Sequence, residues 1–344
     1  MIWRASILAA LLLALVPVAA RATTYYAVAH GATSGTECPL GAECALPHAL
    51  SLTKDGDSVV LEPGPEYTPP STLVVKHGID IGGVPGAARP TIRGAEEEAP
   101  IQLRNPAAHI HDIDLVASEA FAALEIDEGS AERVLAAGAH ASTTACQIFD
   151  ATLVDVVCRS PDIALAMDGG GAVSYSSTLR NVTALSAERA GIVVYAPGQF
   201  HESRLEAVNV IAGGGPGAAD VTALGGPGEG AAVAHLTSSD YATTEVFGPE
   251  SLITPAGTNG NIAAPPQFVN QAAGDLHELA TSPTIDAGST DPSVASTDLD
   301  GNPRALAAHP SCGGSLAGPT DIGAYEFVPP APTCAPPPPQ ESQK

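Results

Sequence analysis

The sequence predicts an all-β fold: a right-handed parallel β-helix with an N-terminal cap and an irregular C-terminal cap. Three observations lead there. Leu153-Val154-Asp155-Val156, Leu179-Arg180-Asn181-Val182 and Leu205-Glu206-Ala207-Val208 share the pattern Leu-x-x-Val at steps of 26 residues. Short apolar runs recur at 73–75, 79–81, 110–115, 122–126, 163–167 and 192–195, bounded by Gly, Pro, Asn, Asp or Ser, which is how strands read. Helical periodicity is absent through most of this region, and so are the Asn-Gly turns that mark hairpins. A repeat of this length holding two or three strands cannot bury its own apolar side, but stacked copies share one core. The rival is a β-sandwich with coincidental spacing; strands this short, without hairpin turns, favour the solenoid. Residues 72–246 would make about seven coils, a stack about 33 Å long at the spacing of neighbouring strands.

Each segment has its own justification. Residues 1–22 read as a secretory signal. Arg4 supplies positive charge, an apolar run spans 5–15, Pro17 breaks it, and Ala20-Arg21-Ala22 offers small residues for cleavage. The run falls short of the roughly 20 apolar residues of a bilayer span, so no membrane span is expected after cleavage. Residues 23–71 hold the N-terminal cap and first strands, 72–264 the coils, 265–328 the C-terminal cap, and 329–344 a Pro-rich disordered tail. Six cysteines follow the signal, an even number suited to an oxidising compartment. They allow 15 pairings; the simplest set is Cys38–Cys44, Cys146–Cys158 and Cys312–Cys334, each stapling a loop or a terminal region.

Composition agrees with export. The formal charge is −24, and removing Arg4 and Arg21 takes it to −26. A chain of this sign lacks the basic stripes that displace counterions from phosphate, so nucleic acid is excluded as a partner. With 44% apolar and 15% charged residues it is no ordinary disordered chain. Aromatics are 4%, so the core must be built from Ala, Val, Leu and Ile, which suits a narrow interior. The Gly-rich stretches near 213–217 and 225–228 lack the phosphate-loop pattern.

Both ends of the chain resemble a known family. Cys44-Ala45-Leu46-Pro47-His48-Ala49-Leu50 is similar to the Cys-x-Leu-x-x-Ala-Ile element found before bacterial parallel β-helices. Gly56-Asp57-Ser58-Val59-Val60-Leu61 and Pro63-Gly64-Pro65-Glu66-Tyr67 resemble the stretch that enters the first coils; Pro47 and Pro65 depart from that pattern. Ser282-Pro283-Thr284-Ile285-Asp286-Ala287-Gly288, then Asp298-Leu299-Asp300-Gly301-Asn302-Pro303-Arg304, then Asp321-Ile322-Gly323-Ala324-Tyr325-Glu326 form an ordered trio. The trio resembles the choice-of-anchor Q domain of secreted β-helix proteins in the pectate-lyase-like superfamily. That resemblance implies a secreted or surface-associated bacterial protein, usually without an assigned activity. Together with the lack of a recognisable catalytic set it leads to a non-catalytic role in adhesion or matrix binding, with an extracellular glycan or a cell-surface or matrix component as partner. A polysaccharide lyase or glycoside hydrolase is the alternative.

Candidate chemistry is sparse. Asp298, Asp300 and Asp321 could hold a Ca²⁺ ion, although the full ladder of a calcium loop is missing. The rival is structural: Arg304 pairs with Asp321 or Glu326 and locks the C-terminal cap. His109-Ile110-His111-Asp112-Ile113-Asp114 is the densest polar cluster; strand alternation would put the histidines on one face and the aspartates on the other. Asp155 and Asn181 hold equivalent repeat positions and read as an outer polar ladder or as turn-forming residues. Tyr175, Tyr195, Tyr241 and Phe200 are few aromatics for a long saccharide groove, and net acidity disfavours polyuronates unless Ca²⁺ bridges them. No catalytic set is recognisable, and a monomer is expected.

Overall fold

The computed structural model describes residues 22–119, 121–168, 173–198, 201–226, 230–290, 296–308 and 317–330. The expected Cys312–Cys334 pair lies outside them, as do nearly all of the expected signal and tail. Parallel strands stack into a β-solenoid of about seven turns. The longest, Ile101–Ala117, Ala122–Gly138 and Thr144–Ser160, each run round two corners and so contribute to three faces.

The interior is made of columns of paired residues, one rung per coil. On the first face Leu103, Ile126, Ile148, Met167, Val194 and Ala223 stack in register. On the second face Ile81, Ile110, Ala131, Leu153, Leu179, Ala207 and Leu236 do the same. The third face supplies Ile113, Val134, Val156, Val182 and Val210. All are essentially inaccessible to solvent. No coil could bury this surface alone, and stacking removes it from water at roughly 25 cal/mol per Å².

The third copy of the repeat is out of step. Leu179 pairs with Leu153, 26 residues earlier, but its partner in the next coil is Ala207; Leu205 pairs with Ser177. Coil length varies because the loops at the corners differ in length, while the strands hold their alternation.

The corner between the second and third faces is made by one left-handed residue per coil. Asp112, Arg133, Asp155, Asn181 and Asn209 have φ between 51° and 57° and occupy successive rungs. Asn and Asp tolerate this conformation best among residues with a Cβ. Asn181 donates to Asp155 Oδ1 (3.0 Å) and Asn209 donates to Asn181 Oδ1 (3.0 Å). Of the two readings of Asp155 and Asn181 the turn-forming one holds, and from Asp155 to Asn209 the ladder is fully buried and not on an outer face. Asn181-Val182-Thr183 has the form of a glycosylation sequon, but all three residues are buried in the strand.

Cys38–Cys44 closes a short loop beside the first strand, as expected for a staple. Cys146–Cys158 does something else. Cys146 stands in the inner column of the first face and Cys158 in that of the third, both fully buried, so the bond braces the core across one coil. Replacing both by alanine should cost about 3 kcal/mol, the scale for closing a loop of this size. Urea unfolding of Cys146→Ala/Cys158→Ala measures it, and a loss under ~1 kcal/mol, well below that scale, would remove the brace from the account.

At the N-terminus a helix, Leu46–Leu52, carries Pro47 in its first turn, where a missing N–H costs nothing. It buries Leu46 and Ala49 beside the strand Thr24–Val28. The far end is plugged by Tyr241, whose hydroxyl donates to Thr254 O and accepts from Asn261 Nδ2. The segment expected to cap that end lies along the side of the stack instead. Leu276, Leu299, Ile322, Ala324 and Tyr325 pack on Val157, Leu185 and Ile211, which point outward from the third face. Gly323 N donates to Asn209 O (2.9 Å) and Ala324 N to Thr183 Oγ1 (2.9 Å), tying the flap to neighbouring coils. The outer side of the third face carries Leu135, Val157, Leu185 and Ile211, an apolar patch that would be exposed without a cover.

Candidate functional site

With the third face covered, the second face presents its outer side chains to solvent, while those of the first face are largely buried along the strands and open only toward its corner. On the first face Gln102, Glu125 and Gln147 are in register and point outward. Two residues further on, where the chain approaches the corner, lies an open groove of about 780 Å³. Arg104, Asp127, Glu128, Phe149, Asp150 and Tyr175 line it, with Val173 and Ser174 at its edge. Phe149 and Tyr175 come from consecutive coils, with ring centroids 5.4 Å apart and planes tilted by 55°. Arg104 is tied to Asp127 (Nε–Oδ2 3.1 Å), which also accepts from Gln102 Nε2 (3.3 Å). Asp150 accepts the amide of Ser176 (2.7 Å). Desolvation pushes the Glu125 carboxyl above its usual range, and the charge of Asp127 adds to this.

The second face carries the histidine cluster. Alternation would separate His111 from Asp112, but Asp112 is the left-handed corner residue, and its carboxylate returns to the His111 ring (Nδ1–Oδ2 2.7 Å). Asp114 passes to the outer side of the third face and binds Arg89 (2.8 Å). Asp80, one coil earlier, takes the other nitrogen of His111 (3.3 Å). Hydrogen bonds to Asp112 and then Asp80 raise His111 to about 9, so it is a cation at neutral pH. Desolvation opposes ionisation of Asp112, yet bonds from Arg133 (2.7 and 2.9 Å) and His111 hold it well below the usual carboxylate range. Burial pushes His109 down; its Nδ1 lies 2.9 Å from Ser130 Oγ and its Nε2 4.0 Å from Glu132. Gly82 lies under the His111 ring, where a Cβ would meet ring atoms at 2.0 Å. The result is a closed ion network on a flat face, in which His111, Asp80, Asp112 and Arg133 each have an opposite charge as partner.

The three carboxylates expected to share Ca²⁺ have separate partners. Asp298 accepts the amides of Asp300, Asn302 and Glu326 at 2.7–3.0 Å, closing its own turn. Asp300 pairs with Arg89 (3.0 Å) and His277 (2.7 Å). Asp321 accepts the amides of Asp286 (2.7 Å) and Phe327 (2.5 Å). Among the described residues the one cluster with metal-ligand spacing is Cys38, Cys44 and His48, whose sulfurs are already bonded to each other. Arg304 is buried. It reaches Glu326 (3.5 Å) on the flap and, through Nε and Nη2, Asp155 in the corner ladder.

Asp80, Ser130, Glu132 and Arg133 join the second-face cluster, and Phe149 the groove, without being singled out in the sequence. Each reaches its site from a neighbouring coil, so finding it requires the register between coils. Of the aromatics considered for saccharide binding, Tyr175 is in the groove, Tyr241 is an interior plug and Phe200 lies outside the described residues.

Fold and surface together define a parallel β-helix with one flank sealed by its own C-terminal segment and an open groove on another. Among solved structures the chain is similar to a pectate lyase, Pel9A, at 10% identity and a TM-score of 0.45, over 90% of this chain and 97% of that one. No protein-family model matches the chain, and no curated protein matches it. The two disulfides are the chemistry of an oxidising compartment. Among the described residues no helix is long and apolar enough to cross a membrane.

Proposed function

We propose that this is an exported, non-catalytic protein that binds an extracellular glycan or matrix component through the first-face groove. The observation that carries the reading is the Phe149–Tyr175 pair standing beside planar polar groups in a groove open to a chain-like ligand. Sugar CH groups pack on aromatic faces while hydroxyls bond to carboxylate, amide and guanidinium edges. The ordered motifs at both ends, which resemble secreted choice-of-anchor Q proteins, support the extracellular setting. Calorimetry with oligosaccharides should show micromolar to millimolar binding that weakens about tenfold in Phe149→Ala or Tyr175→Ala, a loss of about 1.4 kcal/mol. Unchanged affinity in both variants would refute the groove.

One observation favours a glycoside hydrolase as second reading. Glu125, raised by desolvation, stands near Asp127, which is bound to Arg104. Two carboxyls in contrasting environments are what an acid and its partner require. Polysaccharide panels with and without Ca²⁺ separate the readings. Release of reducing or unsaturated sugars, abolished by Glu125→Gln, would replace binding with catalysis.

A further inference from the structure

The charges around the groove narrow the ligand class. Three carboxylates line it, those of Asp127, Glu128 and Asp150, against one cation among the described lining residues, Arg104. Arg104 is already neutralised by Asp127 at 3.1 Å. Glu128 is exposed and has no ion pair among the described residues, and Asp150 has only the neutral amide of Ser176. A groove with two unneutralised carboxylates next to an aromatic pair favours hydrogen-bond donors and positive charge. An anionic sugar would meet repulsion from the groove and from the whole chain.

We infer that the groove selects a glycan bearing free amines, a polymer of amino sugars whose ammonium groups face Glu128 and Asp150 while its rings lie on Phe149 and Tyr175. This rests on the glycan-binding reading and adds the substrate class. Neutral sugars would use the aromatic pair alone and uronates would be rejected. Acetylating the amine removes the charge and enlarges the substituent while leaving the sugar ring in place, so it isolates the decisive feature.

The test uses the full mature protein with three probes at pH 6: a β-1,4-linked glucosamine tetramer, its fully N-acetylated counterpart and a galacturonate tetramer. Titration calorimetry at low salt should rank the glucosamine tetramer at least tenfold above the acetylated one, with the uronate weakest. The gap should shrink several-fold in 0.5 M NaCl, because salt screens exposed charges. Glu128→Gln and Asp150→Asn should each narrow the preference; Asp150→Asn keeps an acceptor for the Ser176 amide. Equal affinity for free and acetylated tetramers, or a uronate preference, overturns the amine selectivity and leaves the groove reading standing. Failure of all three to bind overturns both.

Discussion

Arg304→Ala should lower the melting temperature by on the order of 10 °C. The Arg304 side chain is 4% exposed, and its guanidinium faces Asp155 and Glu326, whose side chains are both fully shielded. It also donates to Gly323 O (3.1 Å) and Ala324 O (2.9 Å), so one side chain joins the corner ladder to the flap at several points. Desolvation lifts Asp155 to about 6 against the pull of Arg304. Removing the cation strands two buried acids, which costs about 3–5 kcal/mol; at roughly 2–4 °C per kcal/mol this is the stated shift. Scanning calorimetry reads it. Asp155→Asn combined with Arg304→Met should recover part of the loss, because no buried charge pair is left at that rung. An unchanged melting temperature in Arg304→Ala would sink the pairing as a source of stability. Groove affinity should not move, since Arg304 lies between the second and third faces and not in the groove.

The flap should also loosen in alkali. Burial, and then the charge of Glu326, pushes Asp321 from 3.8 to about 8. Burial pushes Glu278 from 4.5 to about 7, against hydrogen bonds from Ser282 and Thr284. Both folded values are raised, so the stability they contribute is complete below about pH 4 and is lost as pH rises through 7 and 8. A tenfold change in proton affinity is worth about 1.4 kcal/mol, so the two groups together contribute several kcal/mol. The melting temperature is therefore expected to fall between pH 6 and pH 9, and residues 265–328 should become easier to cleave by protease. Asp321→Asn should flatten the profile. A profile equally steep in that variant would assign the pH dependence elsewhere, His111 at about 9 being the next candidate because it shifts stability in the same direction.

Much of the fold was legible because a β-helix writes its core into local alternation. Leu153, Val156, Leu179 and Val182 reveal two coils without any knowledge of their neighbours. Pro47, a departure from the family pattern in the sequence, is accommodated in the first turn of the cap helix, where a missing N–H costs nothing. The sites were less legible. Asp112 broke the expected alternation because a single left-handed residue turns the chain, and an aspartate in sequence does not announce its φ. Phe149 and Tyr175 are 26 residues apart and become a pair only through stacking.

The sequence by itself determined the solenoid class, the inward and outward alternation of its strands and the net acidity of the chain. Those follow from composition and short-range periodicity, which act within one coil. Tertiary structure alone decided which residue of one coil lies over which of the next, that Cys146 and Cys158 face each other across the core, and that the C-terminal segment seals a flank instead of an end. The reason is the varying loops at the corners. They leave each strand's inward and outward pattern intact but shift how coils align, and both the groove and the Arg304–Asp155 contact are made of that alignment.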